Sequence, residues 1–134
     1  MIKEFEIKTQ KKYELVNITK KVEEIISNIK EGLCLVYVPH ATASVIINEN
    51  YDPNICTDII NFLKEKIPEG KWLHDKIDGN AAAHIKSAIL GPSETIPVKD
   101  GKLLLGTWQA VMVADWDGPK KRTVIVQVVE CTQD

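Results

Sequence analysis

The chain has almost no arginine: Arg122 is the single one among seventeen basic residues, set against nineteen acidic residues for a formal charge of -2 over 134 residues. The basic pairs Lys11-Lys12, Lys20-Lys21 and Lys120-Lys121 are short and scattered. Without a clustered excess of cations to neutralise phosphates, wholesale nucleic-acid binding is excluded. Cysteine is scarce too. Cys34, Cys56 and Cys131 are odd in number, far apart and free of C-x-x-C spacing, which predicts free thiols in a reducing compartment rather than a disulfide frame or redox pair. No apolar run approaches the ~18–20 residues of a membrane span. The opening Met-Ile-Lys-Glu-Phe-Glu alternates charge with apolar residues, unlike a signal peptide. The expectation is a cytoplasmic protein with no membrane partner.

What is present suffices for one domain. Hydrophobic residues at 44% and charged residues at 27% give the balance of a packed globular chain. A chain of this length buries roughly two-thirds of its unfolded surface. No repeat, low-complexity tract or linker divides it, so residues 1–134 read as a single domain.

The local patterns predict the elements. Residues 3 to 9 alternate with Phe5 and Ile7 on one face, and Tyr13 to Val16 is expected to return beside them as a hairpin partner. Ile18, Val22, Ile25, Ile26 and Ile29 fall at helical spacing over 18–31, with Asn17 or Thr19 as cap and Gly32 as terminator. Leu33 to Val38 reads as a buried strand and Ser44 to Ile47 as a second, after a break at Pro39-His40. Asp52-Pro53 starts a helix lined by Ile55, Ile59, Phe62 and Leu63. Residues 68 to 78 form a polar loop, and a short helix follows Asn80. Asp100-Gly101 closes a hairpin over 97–103. Residues 108–115 and 122–131 are two long strands joined through Asp117-Gly118-Pro119. Strands with two or three inserted helices predict an α+β domain with a largely antiparallel sheet.

All three histidines lie mid-chain. His40 ends a strand, His74 sits in the polar loop, and His84 lies in the helical stripe Ala81, His84, Ile85, Ala88. Three neutral imidazole nitrogens are what a catalytic zinc needs while keeping one position open, although a histidine on an apolar helix face also serves as a core residue. Glu49, Asp52, Asp75 and Asp78 flank these segments and can orient imidazoles or hold a hydrated cation. Asp52 already has a duty as helix cap, so Glu49 is the better catalytic candidate. Gly79-Asn80-Ala81 and Gly91-Pro92-Ser93 offer main-chain N–H groups to phosphate, with Lys86 and Arg122 as accompanying cations. Lys86 stands two positions from His84, a separation that turns it away on a helix and fits a plain surface lysine. Trp108 and Gln109 line a pocket or join the core. Cys34 and Cys56 sit on apolar faces, and Ser44 and Ser93 lack a nucleophile elbow.

Taken in order, His40-Ala41-Thr42-Ala43-Ser44, Asn48-Glu49-Asn50-Tyr51-Asp52, the run from Gly79 to Lys86, Gly91-Pro92-Ser93, the run from Leu105 to Gln109 and the run from Asp117 to Arg122 resemble the YjbQ-like family of secondary thiamine-phosphate synthases. That family more often carries Thr or Ser where Ala41 and Ala43 stand. The resemblance implies a compact α+β homotrimer with a pocket near the subunit boundary. It also implies a metal (zinc or magnesium) or a phosphate-sized anion at His40, His74 and His84, with Glu49 beside them. The implied reaction joins a thiazole phosphate to an aminopyrimidine diphosphate with loss of pyrophosphate. Glu49, His84 and Lys86 would then be catalytic, and Asn80, Ser93, Trp108, Gln109 and Arg122 would contact a small phosphorylated substrate. Two alternatives stay open: a metal-dependent hydrolase with Glu49 as base, and a non-enzymatic protein binding a small phosphorylated metabolite.

Overall fold

The structure, a computed structural model, describes residues 1–132. Its elements in chain order are β1 (Ile2–Lys8), β2 (Glu14–Asn17), α1 (Thr19–Ile25), β3 (Glu31–Tyr37), β4 (Ala43–Glu49), α2 (Pro53–Lys66), a 3-10 turn (Leu73–Lys76), α3 (Ala81–Leu90), β5 (Ser93–Lys99), β6 (Lys102–Leu103), β7 (Gln109–Asp115) and β8 (Lys121–Glu130). The strands form two antiparallel sheets, ordered β1-β8-β3-β5-β6 and β2-β7-β4. The α+β expectation holds. No helix among the described residues is long and apolar enough to cross a membrane.

The core lies between the sheets. Alternation along β3 and β8 sends Cys34, Val36, Val124, Val126 and Val128 inward to meet Val45, Val111 and Val113, with Val22 of α1 and Ile26 just past its end packed beside them. Burial pushes the Cys34 thiol up to about 11, so it stays protonated and inert. β3 is not the continuously buried strand its composition suggests: Leu33 and Tyr37 face outward, as the period of two requires.

Two further expectations are corrected. β1 and β2 do not form a hairpin, because β1 pairs with β8 and β2 with β7 in the other sheet. The 10–13 segment carries the chain across the sandwich instead of turning back. The first helix stops at Ile25, and Gly32 is not its terminator. Gly32 belongs to β3, where a Cβ would collide with the Val129 carbonyl oxygen. The two long strands joined through Asp117-Gly118-Pro119 form as expected, as β7 and β8, and lie in different sheets.

The punctuation signals hold. Asp52 Oδ1 accepts the Asn54 N–H at 2.9 Å and Pro53 is the first helical residue. Asp100 and Gly101 both take positive φ, 51° and 73°, in the turn between β5 and β6. α2 is unusual in burying no residue fully: Ile55, Ile59, Leu63 and the exposed Phe62 line an open apolar groove with Leu90 of α3.

Candidate functional site

β4 and α3 carry the site because they pack against each other. At the start of β4 the chain bends through Pro39-His40-Ala41-Thr42, and His40, Ala41 and Ala43 there face His84, Ser87 and Ala88 of α3 across a cavity of about 320 Å³. His74, on the 3-10 turn, meets His84 edge to face with ring centroids 4.9 Å apart. The three histidines are therefore linked through His84, which lines the cavity with His40 and touches the His74 ring. His74 Nε2 lies 3.3 Å from Asp78 Oδ2 but is not aligned for a hydrogen bond.

His40 is fixed in one chemical form. Its Nε2 accepts the Thr123 peptide N–H at 2.9 Å. A peptide N–H can only donate, so the ring nitrogen supplies its lone pair and the proton of the neutral ring lies on Nδ1. Burial, and after it the nearby Arg122 guanidinium, holds His40 below the usual imidazole pKa, which keeps that neutral form. His40 thus offers a hydrogen-bond donor at Nδ1 and no free lone pair. Among the described residues, no group of three or more His, Cys, Asp or Glu side chains is arranged to hold a metal ion. A three-histidine zinc does not fit this arrangement.

Beneath His40 lies a buried polar network. Arg122 Nη2 donates to Asp115 Oδ1 at 2.6 Å and to Thr42 Oγ1 at 2.9 Å, while Thr9 Oγ1 donates to Asp115 Oδ2 at 2.6 Å. Arg122 is 4% exposed and Asp115 wholly buried. Arg122 therefore holds the bend that carries His40 through Nη2, while its Nε has no partner. Asn80 is likewise engaged, its Nδ2 donating to Asp117 Oδ2 at 3.0 Å. Burial alone would raise the Asp117 pKa, but Lys120 and Asn80 outweigh it and lower it.

Lys86 is neither surface nor catalytic at this cavity. It is fully buried on the opposite face of α3, where Nζ donates to the Ile67 carbonyl at 2.9 Å and sits 5.0 Å from the Tyr13 ring centroid. Burial lowers its pKa. The α3 stripe is broader than the sequence suggests because α3 packs on two sides, against β4 and against the second core of Trp116, Ala83 and Tyr13. Lys86 pins the chain leaving α2, and the Lys12–Glu69 ion pair at 2.5 Å and the Trp72 Nε1 bond to Pro68 O at 2.7 Å hold the segment leading to His74. Asp75 then accepts the Trp72 and Ala81 N–H groups, and these bonds lower its pKa.

Glu49, Trp108 and Gln109 are not beside the histidines. Ala43 lines the histidine cavity and Glu49 ends the same strand. Six residue steps of extended chain separate them, about 20 Å at ~3.3 Å per step. Ser93 follows Pro92, which lines the histidine cavity, but it does not line that cavity itself. Sequence reasoning missed Ser87 and Asp115. Ser87 stands three positions from His84 on the same helix face, is 6% exposed, and its Oγ has no hydrogen-bond partner. Asp115 follows the apolar run Ala110-Val111-Met112-Val113-Ala114 at the end of its strand, a mismatch that signals a buried partner.

The family profile of UPF0047 YjbQ-like proteins matches residues 3–131. A UPF0047 protein of Methanocaldococcus jannaschii is 47% identical over 131 residues, covering 96% of this chain and 94% of the relative. The YugU protein of Bacillus subtilis is 39% identical, covering 96% of this chain and 99% of its own. The crystal structure of a hypothetical protein from Aeropyrum pernix superposes with a TM-score of 0.93 at 41% identity, over 97% of this chain and 98% of the other.

Proposed function

The chain belongs to the UPF0047 YjbQ-like family, and from that premise we propose that it is a transferase of the thiamine-phosphate synthase type, with the histidine cavity holding phosphate oxygens of a substrate. One observation carries the choice of ligand: His40 faces the cavity with its Nε2 already bound to the Thr123 N–H. Its remaining nitrogen is a donor, and the buried Ser87 hydroxyl on the facing wall has no partner. Two donor-bearing residues lining one cavity suit an oxyanion.

The thiazole nitrogen would attack the methylene carbon of the aminopyrimidine diphosphate, forming a C–N bond as the C–O bond to pyrophosphate breaks and pyrophosphate leaves. The chain's own contribution is to hold the phosphate-bearing group and to stabilise charge developing on its oxygens. Magnesium, in this reading, arrives with the pyrophosphate of the substrate. The assembly is a homotrimer, supported by the uncovered apolar face of α2, where Phe62 is 58% exposed.

The test is direct. Purified protein incubated with aminopyrimidine diphosphate, thiazole phosphate and magnesium is expected to yield thiamine phosphate, and H84A to lose at least tenfold in rate. Absence of product from the folded wild type overturns the transferase reading.

A further inference from the structure

The far end of β4 carries open space that the histidine cavity does not explain. Two adjoining hollows of about 500 and 460 Å³ share Tyr51 and Trp108 as a common wall. These rings meet edge to face at 5.4 Å between centroids, yet Tyr51 is 82% and Trp108 59% exposed. Aromatic rings held against each other at the surface present preformed faces at little entropic cost.

The charge around these rings has one sign. Glu49 and Asp52 line the first hollow, and neither hollow is lined by Lys, Arg or His. Asp52 is occupied with the Asn54 N–H, whereas the Glu49 carboxylate has no hydrogen bond or ion pair among the described residues, only its main chain being engaged. A free carboxylate beside two aromatic faces attracts a flat cation: the ring quadrupoles favour positive charge over their faces and the carboxylate takes its N–H groups. The same walls repel phosphate. We propose that this groove is a second binding site, separate from the histidine cavity, for a small molecule bearing a planar nitrogen cation such as an amidinium or guanidinium group.

The proposal does not depend on the transferase reading, and benzamidine tests it. Calorimetric titration of the full chain is expected to show one benzamidinium bound per chain, while benzoate, of the same shape and opposite charge, shows none. E49Q, which keeps the side-chain volume, and W108A are each expected to weaken binding at least tenfold, with W108F retaining most of it. H84A should leave binding unchanged. No binding of benzamidine, equal binding of benzoate, or an unaltered affinity in E49Q overturns the proposal. Loss of binding in H84A overturns the claim that the two sites are separate.

Discussion

Asp115→Ala is expected to be among the most damaging single changes in this protein, and more damaging than Arg122→Met, although the two side chains form one ion pair. The asymmetry follows from what each partner keeps. Without Arg122, Asp115 retains the Thr9 hydroxyl at 2.6 Å and the Asp117 N–H at 2.9 Å. Without Asp115, Arg122 retains only Thr42, at 2.9 Å to its hydroxyl and 3.4 Å to its carbonyl, with its Nε already unpartnered, and Thr9 loses an acceptor. Breaking a buried pair costs about 3–5 kcal/mol, because the surviving charge has left water without compensation. Arg122→Met should fall at about 3 kcal/mol and Asp115→Ala at about 4–5 kcal/mol, roughly a quarter or more of a stability of ~5–15 kcal/mol. At roughly 3 °C per kcal/mol for a chain of this size, Asp115→Ala lowers Tm by about 12–15 °C.

Urea unfolding of both single variants and the double variant measures the coupling, expected at about 1–3 kcal/mol with the double less damaged than the sum. In Arg122→Met that remains folded, the amide resonance of Thr123 should shift, because Arg122 holds Thr42, two residues beyond His40. A loss below about 1 kcal/mol in Asp115→Ala, or strictly additive losses, refutes the reasoning.

Two further outcomes follow from particular contacts. His40 titrates below its ordinary value in the native state, so the unfolded chain takes up that proton first as pH falls below about 6.5; stability therefore declines with falling pH across the window between that value and the lowered one, and urea midpoints should fall less steeply there in His40→Gln. Gly32→Ala places a Cβ against the Val129 carbonyl across the β3–β8 ladder, and neither backbone can yield without losing pairing, so a loss of about 1–3 kcal/mol in denaturant unfolding is expected.

The parts of this fold that sequence revealed are those decided locally. Asp52-Pro53 and Asp100-Gly101 set backbone angles and satisfy nearby N–H groups within a few residues, so their types and spacing suffice. Sheet membership is decided by partners far along the chain. Nothing within 3–16 distinguishes a hairpin from two strands entering different sheets, since both bury Phe5 and Val16 equally well. Gly32 shows the same limit: a glycine after a helical stripe signals a terminator, and only the β8 backbone reveals that it is there for clearance. Lys86 was hidden because a period of 3.6 identifies one buried face, and α3 has two.

The histidines were legible as a group, but not their chemistry. Residue type gives each imidazole two possible nitrogens, and what each can do depends on the bond made by the other. The Thr123 N–H, eighty-three residues away, removes the lone pair that a zinc ion would need from His40. The same strand that brings His40 to its cavity carries Glu49 about 20 Å away, so residues adjacent in a list of candidates are held apart by the rigidity of β4. A two-substrate reaction needs its reacting atoms about 3–3.5 Å apart. Glu49 and Trp108 therefore cannot serve chemistry at the histidine cavity of their own protomer, and any contribution they make there must come from a neighbouring copy. That requirement is independent of which small molecules bind, and the H84A arm of the benzamidine titration bears on it directly.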